Sequence, residues 1–364
     1  MRILHTIYDD PWNTWLGGGG SLRTFQISRQ LVDRHDITIL SGRYPGTPST
    51  EDRDGVRFVR VGTSSSYALS RAAFSIAASS HVAASDHDLW VYSFSAFAPI
   101  LAGPERRQGA LLECFHLMGD HARQKHRLIG LTTSHIESAT LRAYRQVLTI
   151  SHSVREDVAD IRGTEGLHVV HTGVDDSCFV DPLGEEDYIL YFGRLDPYTK
   201  GLDLLLKAFA SLDRSDVRLK IAGRGTPESH REIETLITDL DLGSRVELVG
   251  SVDEEARADL YQRALFFCSP SRYEGWCIAA VEAAAAGKAV LGTRIPGLSD
   301  AVRHEETGVL VPPDDVPALS AAMTRLLSNK DERTRLGRAG QTWARNFTWE
   351  KIAADQERVY ASVA

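Results

Sequence analysis

Short apolar runs alternate along the chain with longer segments whose apolar residues recur at helical spacing. In the first half this pattern predicts strands at 2–7, 37–40, 56–61, 89–94, 110–115, 147–150 and 167–171. After a polar interval the alternation restarts, with strands predicted at 188–193, 217–223, 245–250, 264–269 and 288–293. Strands that alternate with helices are typical of parallel α/β architecture.

The polar interval "DPLGEED" (181–187) contains Pro and Gly and is predicted to be a linker. A chain of 364 residues also exceeds what one hydrophobic core usually organises. We therefore expect two open α/β domains, the first over 1–183 and the second over 184–347. Because ligands of such folds bind outside the carboxyl ends of the strands, a site in a cleft between the domains is expected.

Composition and charge narrow the functional classes. The residues are 43% hydrophobic and 25% charged, as in ordinary globular proteins, and the net charge of -8 does not favour nucleic-acid binding. The four cysteines lack C-x-x-C spacing and lie in or beside apolar runs, which predicts reduced, buried thiols. The opening "MRILHTIYDD" does not resemble a signal peptide, and no apolar run approaches about 20 residues, so a cytoplasmic location is expected.

Two glutamates, Glu274 and Glu282, stand eight positions apart around the segment "CIAAVEAAAA", which is predicted to be a helix ended by Gly287. Eight helical residues span about 12 Å, so the two carboxylates can meet separate points of one extended ligand. Hydrolases place their paired carboxylates about 5 to 10 Å apart, which disfavours that class. The alternative is structural: Glu274 caps the helix and Glu282 faces solvent.

Two cations precede another predicted helix, which begins near Leu202. Arg194 and Lys200 lie in the loop that leads into it. A guanidinium, an ammonium and a helix N-terminus together form a site for a diphosphate. Taken alone, this pair could equally be two solvated surface charges.

The segments "GRLDPYTKG" and "SRYEGWCIAAVEAAAAGKAV" resemble the signature of the retaining GT-B glycosyltransferases of family 4, whose E-x7-E motif matches Glu274 and Glu282. "LTISHSVREDV", "VVHTGVDDSCF", "LKIAGRG", "VELVGSV", "TGVLVPPDD" and "FTWEKIAADQERVY" extend the similarity over most of the chain. The resemblance implies an α/β GT-B fold, with two Rossmann-like domains whose parallel sheets face each other across a deep cleft. It also implies that the first domain binds the acceptor, the second binds the donor, and the helix of about 348–364 packs back on the first domain.

The same resemblance implies roles for individual residues. Arg194 and Lys200 would bind the donor diphosphate and stabilise the charge that develops there as the sugar leaves. Glu282 would accept hydrogen bonds from the ribose hydroxyls, and Glu274 would orient the transferred sugar. The remaining donor-binding residues implied in the second domain are Gly250, Val252, Gly275, Trp276, Cys277 and Ile278.

Four consecutive glycines lie between the first strand and the first helix, in "WLGGGGSLRTF". Glycine lets main-chain N–H groups approach a phosphate closely, and the resemblance assigns Gly18 and Gly19 to the donor diphosphate. A dinucleotide-binding fingerprint fails here because Leu22 occupies the position of its third glycine. A merely flexible turn is the other interpretation.

Histidines and paired acids were considered as catalytic or metal-binding groups. His116 follows the strand "ALLECF", where the family carries a histidine that reaches the donor sugar; a structural histidine is the alternative. The segment "HLMGDHARQKH" has no H-x3-H pair, and "DHD" (86–88) precedes a strand, which indicates a surface turn. No metal is implied.

The sequence thus predicts a retaining, metal-independent hexosyltransferase without a cofactor, which uses a nucleoside diphosphate sugar. UDP is expected because the family uses it most, with GDP and ADP left open. The acceptor would be a hydroxyl of a small molecule, an oligosaccharide or a lipid-linked sugar. A sugar-nucleotide 2-epimerase of the same fold and a non-catalytic sugar-nucleotide-binding subunit are the alternatives.

Three further features qualify this prediction. The basic segment 121–127 is interpreted as a solvated loop in preference to a membrane-surface patch. Cys277 stands where the family often has Gly, so its side chain could alter which donor fits. Thr172 stands where the family often has Asn, at a domain-end turn, and is expected to be harmless.

Overall fold

The computed structural model describes residues 1–13, 15, 18–117, 127–181 and 184–364. The chain forms two compact units, the first comprising 1–173 and 349–364 and the second 174–348. The chain therefore enters the second unit ten residues before the predicted boundary after residue 183. Two hydrogen bonds explain the difference, because the N–H of Val174 donates to the Phe347 carbonyl (2.8 Å) and Ser177 Oγ donates to Glu254 (2.6 Å).

The first unit contains one mixed sheet. Its described strands are β1 (Arg2–Thr6), β2 (Asp36–Gly42), β3 (Thr50–Arg53), β4 (Val56–Val61), β5 (Leu89–Ser93), β6 (Ala110–Cys114), β7 (Gln146–Thr149) and β8 (Leu167–Val169). Their order is β3-β4-β2-β1-β5-β6-β7-β8, and β3 is antiparallel to β4 whereas the other neighbours are parallel. The sequence analysis missed β3, because its residues "TEDR" are polar and show no apolar alternation.

Helices cover the sheet of the first unit. The described helices are α1 (Gly19–Leu31), α2 (Tyr67–Ala84), α3 (Pro104–Gln108), α4 (Arg127–Ala143), α5 (His152–Arg162) and the C-terminal helix, labelled α13 (Trp349–Val363). Helix α13 packs against α1 and belongs to the first unit. An exposed turn before β5 carries Asp86 and Asp88, which both pair with Arg2 at the surface. Residues 118–126, which include most of the basic segment, lie outside the described residues.

A buried charge network joins β1, β5, β6, α1 and α13 inside the first unit. Glu113 on β6 is fully buried, and its Oε1 accepts hydrogen bonds from Arg23 Nη1 (3.0 Å) and Gln356 Nε2 (2.9 Å). Its Oε2 lies 3.0 Å from His5 Nε2 and accepts a hydrogen bond from Ser93 Oγ (2.8 Å). These neighbours hold the pKa of Glu113 below its usual range despite its burial.

Arg23 extends this network to the segment that follows β8. Its guanidinium donates to the carbonyls of Val170 (3.1 Å) and His171 (3.3 Å) and to Gln356 Oε1 (2.8 Å). Arg23 is only 1% exposed, so its charge depends on these partners for compensation. The C-terminal helix is thus fixed by hydrogen bonds to buried charged groups as well as by apolar packing.

The second unit contains a parallel sheet with helices between its strands. The described strands are β9 (Tyr188–Phe192), β10 (Arg218–Ala222), β11 (Val246–Gly250), β12 (Phe266–Ser269), β13 (Val290–Thr293) and β14 (Gly308–Val311), in the order β11-β10-β9-β12-β13-β14. The helices are α6 (Leu202–Ala210), α7 (Pro227–Asp239), α8 (Glu254–Arg263), α9 (Ile278–Ala285), α10 (Pro296–Ala301), α11 (Val316–Ser328) and α12 (Lys330–Ala344). Each strand predicted in this half is present, with bounds shifted by no more than two residues.

Strands and helices of the second unit enclose one apolar core. The strands contribute Ile189, Leu219 and Phe266, and α6 contributes Leu205 and Phe209, all of them 0% exposed. The strands β9, β12 and β13 are buried on both faces, which accounts for their nearly continuous apolar sequences. Burial of this kind fixes the strand ends, and therefore the loops that follow them.

The prediction of reduced, buried thiols is confirmed. Cys114, Cys178, Cys268 and Cys277 are all free and buried. Burial raises the pKa of Cys114 to about 12, so it is a protonated, apolar-like side chain at neutral pH.

Candidate functional site

Two loops meet at the carboxyl edge of the second unit's sheet. One follows β9 and leads into α6, and the other follows β12 and leads into α9. Because β9 and β12 are neighbours in a parallel sheet, their following loops lie side by side. The main chains are joined directly, since the N–H of Arg272 donates to the Thr199 carbonyl at 3.0 Å. The segments 193–201 and 270–278 therefore form one site, which sequence spacing alone could not establish.

The loop after β9 carries the two predicted cations, of which one is exposed and the other is partly buried in an ion pair. Arg194 is exposed, and its guanidinium forms no hydrogen bond or ion pair with any residue that the structure describes. Lys200 is partly buried, and its Nζ lies 2.7 Å from Glu274 Oε1. The loop ends at Gly201, which adopts φ +66° as the residue before α6, and a Cβ there would lie 2.0 Å from the Pro270 carbonyl oxygen. Glycine is needed at this position for both reasons.

Glu274 is held in place by neighbours from both loops. Its Oε1 accepts hydrogen bonds from Lys200 and from Ser271 Oγ, the latter at 3.0 Å. Its side chain is only 9% exposed. Glu274 lies before α9 and not within it, as predicted. Together with the Lys200 ammonium it places one negative and one positive group at the same point of the sheet's carboxyl edge.

Glu282 lies on α9 and faces α8. It is 6% exposed, and its two oxygens accept hydrogen bonds from Arg257 Nη1 (3.1 Å) and Tyr261 hydroxyl (3.0 Å). Arg257 also lies 3.8 Å from Asp175. Burial raises the pKa of Glu282, and the guanidinium of Arg257 opposes that shift. Glu282 is therefore not the solvent-facing residue of the structural alternative.

Several residues of this site were missed by sequence reasoning. Arg257, Tyr261 and Ser271 each contact one of the two motif glutamates. Ser271 stands three residues before Glu274, so its proximity could have been anticipated. The contacts of α8 with α9 could not, because nothing in the sequence aligns the two helices.

The side chains of Trp276 and Cys277 point into the protein. Trp276 is 5% exposed and packs edge-on against Phe347, with ring centroids 5.0 Å apart. Cys277 is 4% exposed, its Sγ lies 3.9 Å from Ser269 Oγ, and burial raises its thiol pKa to about 12. The Cys277 side chain is thus buried, and its expected effect on which donor fits stays a prediction. Ligand contact at 275–278 would come from main-chain N–H groups at the start of α9.

Gly250 ends β11 and Val252 follows it, two strands from β9. Gly250 adopts φ +78°, and its carbonyl accepts a hydrogen bond from the N–H of Gly223 at 2.8 Å. Val252 is partly buried, immediately before Asp253, which caps α8 through the N–H of Ala256 (2.9 Å). The second-unit candidates therefore lie at or beyond the ends of three strands, β11, β9 and β12, with β10 between the first two.

The first-unit candidates lie at the carboxyl edge of their own sheet. Gly18 precedes α1 and Gly19 begins it, and both are exposed. A Cβ on Gly18 would meet only Asp9 Oδ2, at 3.7 Å, whereas one on Gly20 would lie 2.6 Å from the Phe115 ring. His116 is an exposed residue directly after that phenylalanine. Gly20 is therefore the glycine that close packing requires, and Gly18 and Gly19 leave main-chain N–H groups accessible.

Two observations concern metals and membranes. Among the residues that the structure describes, no three or more His, Cys, Asp or Glu side chains come together as a metal site would require. Within the same residues, no helix combines the length and the apolar character that crossing a bilayer demands. The predicted absence of a metal requirement stays a prediction.

Family models identify the chain in two adjoining segments. Residues 17–177 match the model described as Glycosyltransferase Family 4, and residues 179–343 match the model described as Glycosyl transferases group 1. The fold and these matches define a glycosyltransferase of the GT-B fold. The chain belongs to family 4, which confirms the predicted fold class and family.

Individual relatives agree with this assignment. The D-inositol 3-phosphate glycosyltransferase of Xylanimonas cellulosilytica is 26% identical over 407 aligned positions, which cover 99% of this chain and 95% of the relative. Three further relatives, all named as glycosyltransferases, match over shorter stretches, so that the chain covers only 54%, 56% and 59% of their lengths.

Solved structures show the same fold over the full chain. Sucrose-phosphate synthase of Thermosynechococcus elongatus superimposes with a TM-score of 0.86 at 23% identity, covering 100% of this chain and 99% of that one. HepE of Anabaena, solved in complex with UDP and glucose, superimposes with a TM-score of 0.79 at 17% identity and covers 100% of both chains.

Proposed function

We propose that this chain is a retaining glycosyltransferase that moves a hexose from a nucleoside diphosphate sugar to a hydroxyl group. The observation that carries the proposal is the exposed, unpaired guanidinium of Arg194, which lies at a strand end beside the Lys200–Glu274 ion pair and before the N-terminus of α6. An unpaired cation in this setting favours an anionic ligand. The donor diphosphate has the matching charge and size.

Each charged group of the site has a proposed role. Arg194 and Lys200 bind the diphosphate and stabilise the charge that grows on it as the bond to the sugar breaks. Glu274, held by Lys200 and Ser271, accepts hydrogen bonds from hydroxyls of the sugar. Glu282 accepts hydrogen bonds from the ribose in addition to those from Arg257 and Tyr261, because each carboxylate oxygen can accept more than one.

The remaining candidates are assigned by the same proposal. In the second unit, main-chain groups of Gly250, Val252, Gly275 and residues 276–278 contact the nucleotide and the sugar. In the first unit, Gly18 and Gly19 offer N–H groups to the diphosphate, and His116 contacts the donor sugar. The first unit binds the acceptor and the second binds the donor.

The proposed reaction is a front-face displacement. The bond between the anomeric carbon and the β-phosphate oxygen breaks, a bond from that carbon to the acceptor oxygen forms on the same face, and the departing phosphate oxygen takes the acceptor proton. The products are the glycoside and the nucleoside diphosphate. Arg194 and Lys200 supply the positive charge, so the proposed reaction needs no metal, and turnover that EDTA abolishes would contradict this point.

UDP is the proposed nucleotide. The structurally similar HepE was solved with UDP and glucose, which supports the choice. The acceptor is proposed to be a polyol, sugar or lipid-linked sugar hydroxyl, and the full-length relative named for D-inositol 3-phosphate supports a small polyol among these.

A donor-binding experiment tests the proposal. UDP-, GDP- and ADP-glucose are each added to the protein, and thermal unfolding is followed. One of them is expected to raise Tm, because a ligand that binds only the native state stabilises it by mass action. In Glu282→Ala this ligand-induced rise is expected to shrink, with affinity about tenfold weaker.

The matched control is Glu234→Ala, which removes an exposed acid from α7. Because Glu282 also pairs with Arg257, the unliganded Glu282 variant is expected to melt earlier, so each ligand shift is referred to that variant's own unliganded Tm. Equal affinity and turnover in Glu282→Ala and wild type would remove the assignment of Glu282.

The stereochemical course is tested by NMR of the product. We expect the anomeric configuration of the transferred sugar to match that of the donor, because the proposed front-face displacement forms the new bond on the face from which the phosphate leaves. The coupling constant of the anomeric proton, recorded early in the reaction, distinguishes the two configurations. An inverted product would contradict the front-face mechanism.

A further inference from the structure

Arg224 resembles Arg194 in its environment. It lies just beyond β10, in the segment Gly223–Gly225 that leads into α7. The residue is exposed, and its guanidinium has no hydrogen bond or ion pair to the described part of the chain. The second unit therefore presents two uncompensated guanidinium groups at neighbouring strand ends.

The lack of an acidic partner for Arg224 among the described residues contrasts with the pairing of arginines around it. Three other surface arginines of the unit pair with nearby acids: Arg214 with Asp216, Arg218 with Asp187, and Arg231 with Glu228. Glu228 is only four residues from Arg224, yet it pairs with Arg231 at 3.0 Å. Arg224 thus keeps its full charge available.

Main-chain hydrogen bonds fix the position of Arg224. Its carbonyl accepts a hydrogen bond from the N–H of Leu195 at 2.7 Å, and the preceding N–H of Gly223 donates to the Gly250 carbonyl at 2.8 Å. A Cβ on Gly223, at φ +139°, would lie 1.7 Å from the Gly193 carbonyl oxygen. The end of β10 is therefore pressed between the ends of β9 and β11.

The sheet order determines what Arg224 would meet. Along β11-β10-β9-β12, the candidate residues follow one another as Gly250 and Val252, then Arg224, then Arg194, then Glu274. Neighbouring strands are about 4.8 Å apart, which is close to the spacing of successive groups in an extended nucleotide. Arg224 therefore lies between Gly250 and Val252, which are proposed to contact the nucleotide, and Arg194, which is proposed to bind the diphosphate.

We infer that Arg224 binds the α-phosphate of the nucleoside diphosphate sugar, as a third cation of the donor site. This inference rests on the proposed function and deepens it. A guanidinium donates two parallel hydrogen bonds to a phosphate, and two adjacent guanidinium groups repel each other less once an anion lies between them. Arg194 then serves the β-phosphate and Arg224 the α-phosphate.

Nucleotides with decreasing numbers of phosphates distinguish the proposed α-phosphate position from the proposed β-phosphate position. Calorimetry measures the affinity of UDP, UMP and uridine for wild type, Arg224→Met, Arg224→Lys and Arg194→Met. If wild type prefers GDP or ADP, the corresponding series replaces the uridine compounds. Arg338→Met is the matched control, because Arg338 is also exposed and its guanidinium has no polar partner among the described residues, but it lies on α12.

For Arg224→Met we expect about tenfold weaker binding of both UDP and UMP, and unchanged binding of uridine. Arg194→Met should weaken UDP by a similar factor while leaving UMP near wild type. Arg224→Lys should recover part of the loss, because it keeps the charge without the planar fork. Arg338→Met should bind UDP, UMP and uridine with wild-type affinity.

Three results would overturn the inference. In the first, Arg224→Met binds UDP and UMP as the Arg338 control does. In the second, it loses affinity for UDP alone, which would place the side chain at the β-phosphate. In the third, it loses affinity for uridine equally, which would place the side chain at the base. These outcomes leave the proposed function intact. A wild-type protein that binds no nucleoside diphosphate would instead remove the proposed function and this inference with it.

Discussion

Arg194→Ala is expected to lower kcat for sugar transfer by about 10²- to 10³-fold, which is the typical effect of removing one donor that stabilises transition-state charge. The side chain is exposed and unpaired within the described residues, so its removal breaks no contact that holds the fold. Tm of the unliganded variant should therefore equal that of wild type. Steady-state kinetics with the preferred donor, together with thermal unfolding, measures both quantities.

Arg338→Ala is the control for this prediction, since it removes an equally exposed guanidinium from α12. Its kinetics should match wild type. A variant at position 194 with wild-type kcat would show that the unpaired guanidinium does not serve the reaction. A loss confined to KM would indicate that Arg194 holds the donor without stabilising the transition state.

Glu113→Ala is expected to lower the free energy of unfolding of the first unit by about 3 to 5 kcal/mol, the usual result of removing one partner from a buried ion pair. The substitution leaves Arg23 almost fully buried without its carboxylate and frees Gln356 of α13 from one of its two contacts in the network. Urea unfolding monitored by circular dichroism measures the change. Glu156→Ala, which removes an exposed acid from α5, should change the free energy of unfolding by less than about 0.5 kcal/mol.

The effect of Glu113 should depend on pH with a definite sign. Its native pKa is depressed below the ordinary value of about 4.3, so its stabilising contribution is complete above that value. The contribution decreases as pH falls from there towards the native pKa. The difference between wild type and Glu113→Ala should therefore be constant between about pH 6 and 8 and smaller in strong acid. A difference that grows on acidification would contradict the ionised state of Glu113 in the fold.

Sequence patterns predicted most of the strands because the parallel sheets are buried on both faces. Strands such as Tyr188–Phe192 and Leu89–Ser93 are almost entirely apolar and interrupt helical periodicity clearly. The polar strand Thr50–Arg53 escaped notice because it pairs at the edge through main-chain groups, which leave no side-chain pattern. The compact units divide ten residues before the predicted domain boundary, because Val174 and Ser177 bond to Phe347 and Glu254, which lie far along the chain, and composition does not encode such contacts.

The candidate site likewise contains residues that the sequence could predict and contacts that it could not. Glu274, Lys200 and Arg194 could be selected from their motif spacing, and the structure places the first two 2.7 Å apart. Which cation would remain unpaired could not be selected, because that depends on loops from different strands meeting at one edge. The buried partners of Glu282, Arg257 and Tyr261, depend likewise on how α8 packs beside α9.

The amino-acid sequence by itself determined the α/β class, the family, the strand positions and the identity of the charged motif residues, because periodicity and short motifs are local properties. Tertiary structure alone decided that Glu113, Arg23 and Gln356 form one buried network, and that Arg224 stands between Gly250 and Arg194. Those arrangements depend on strand order and helix packing. Strand order joins residues far apart in the chain, and no local pattern specifies it.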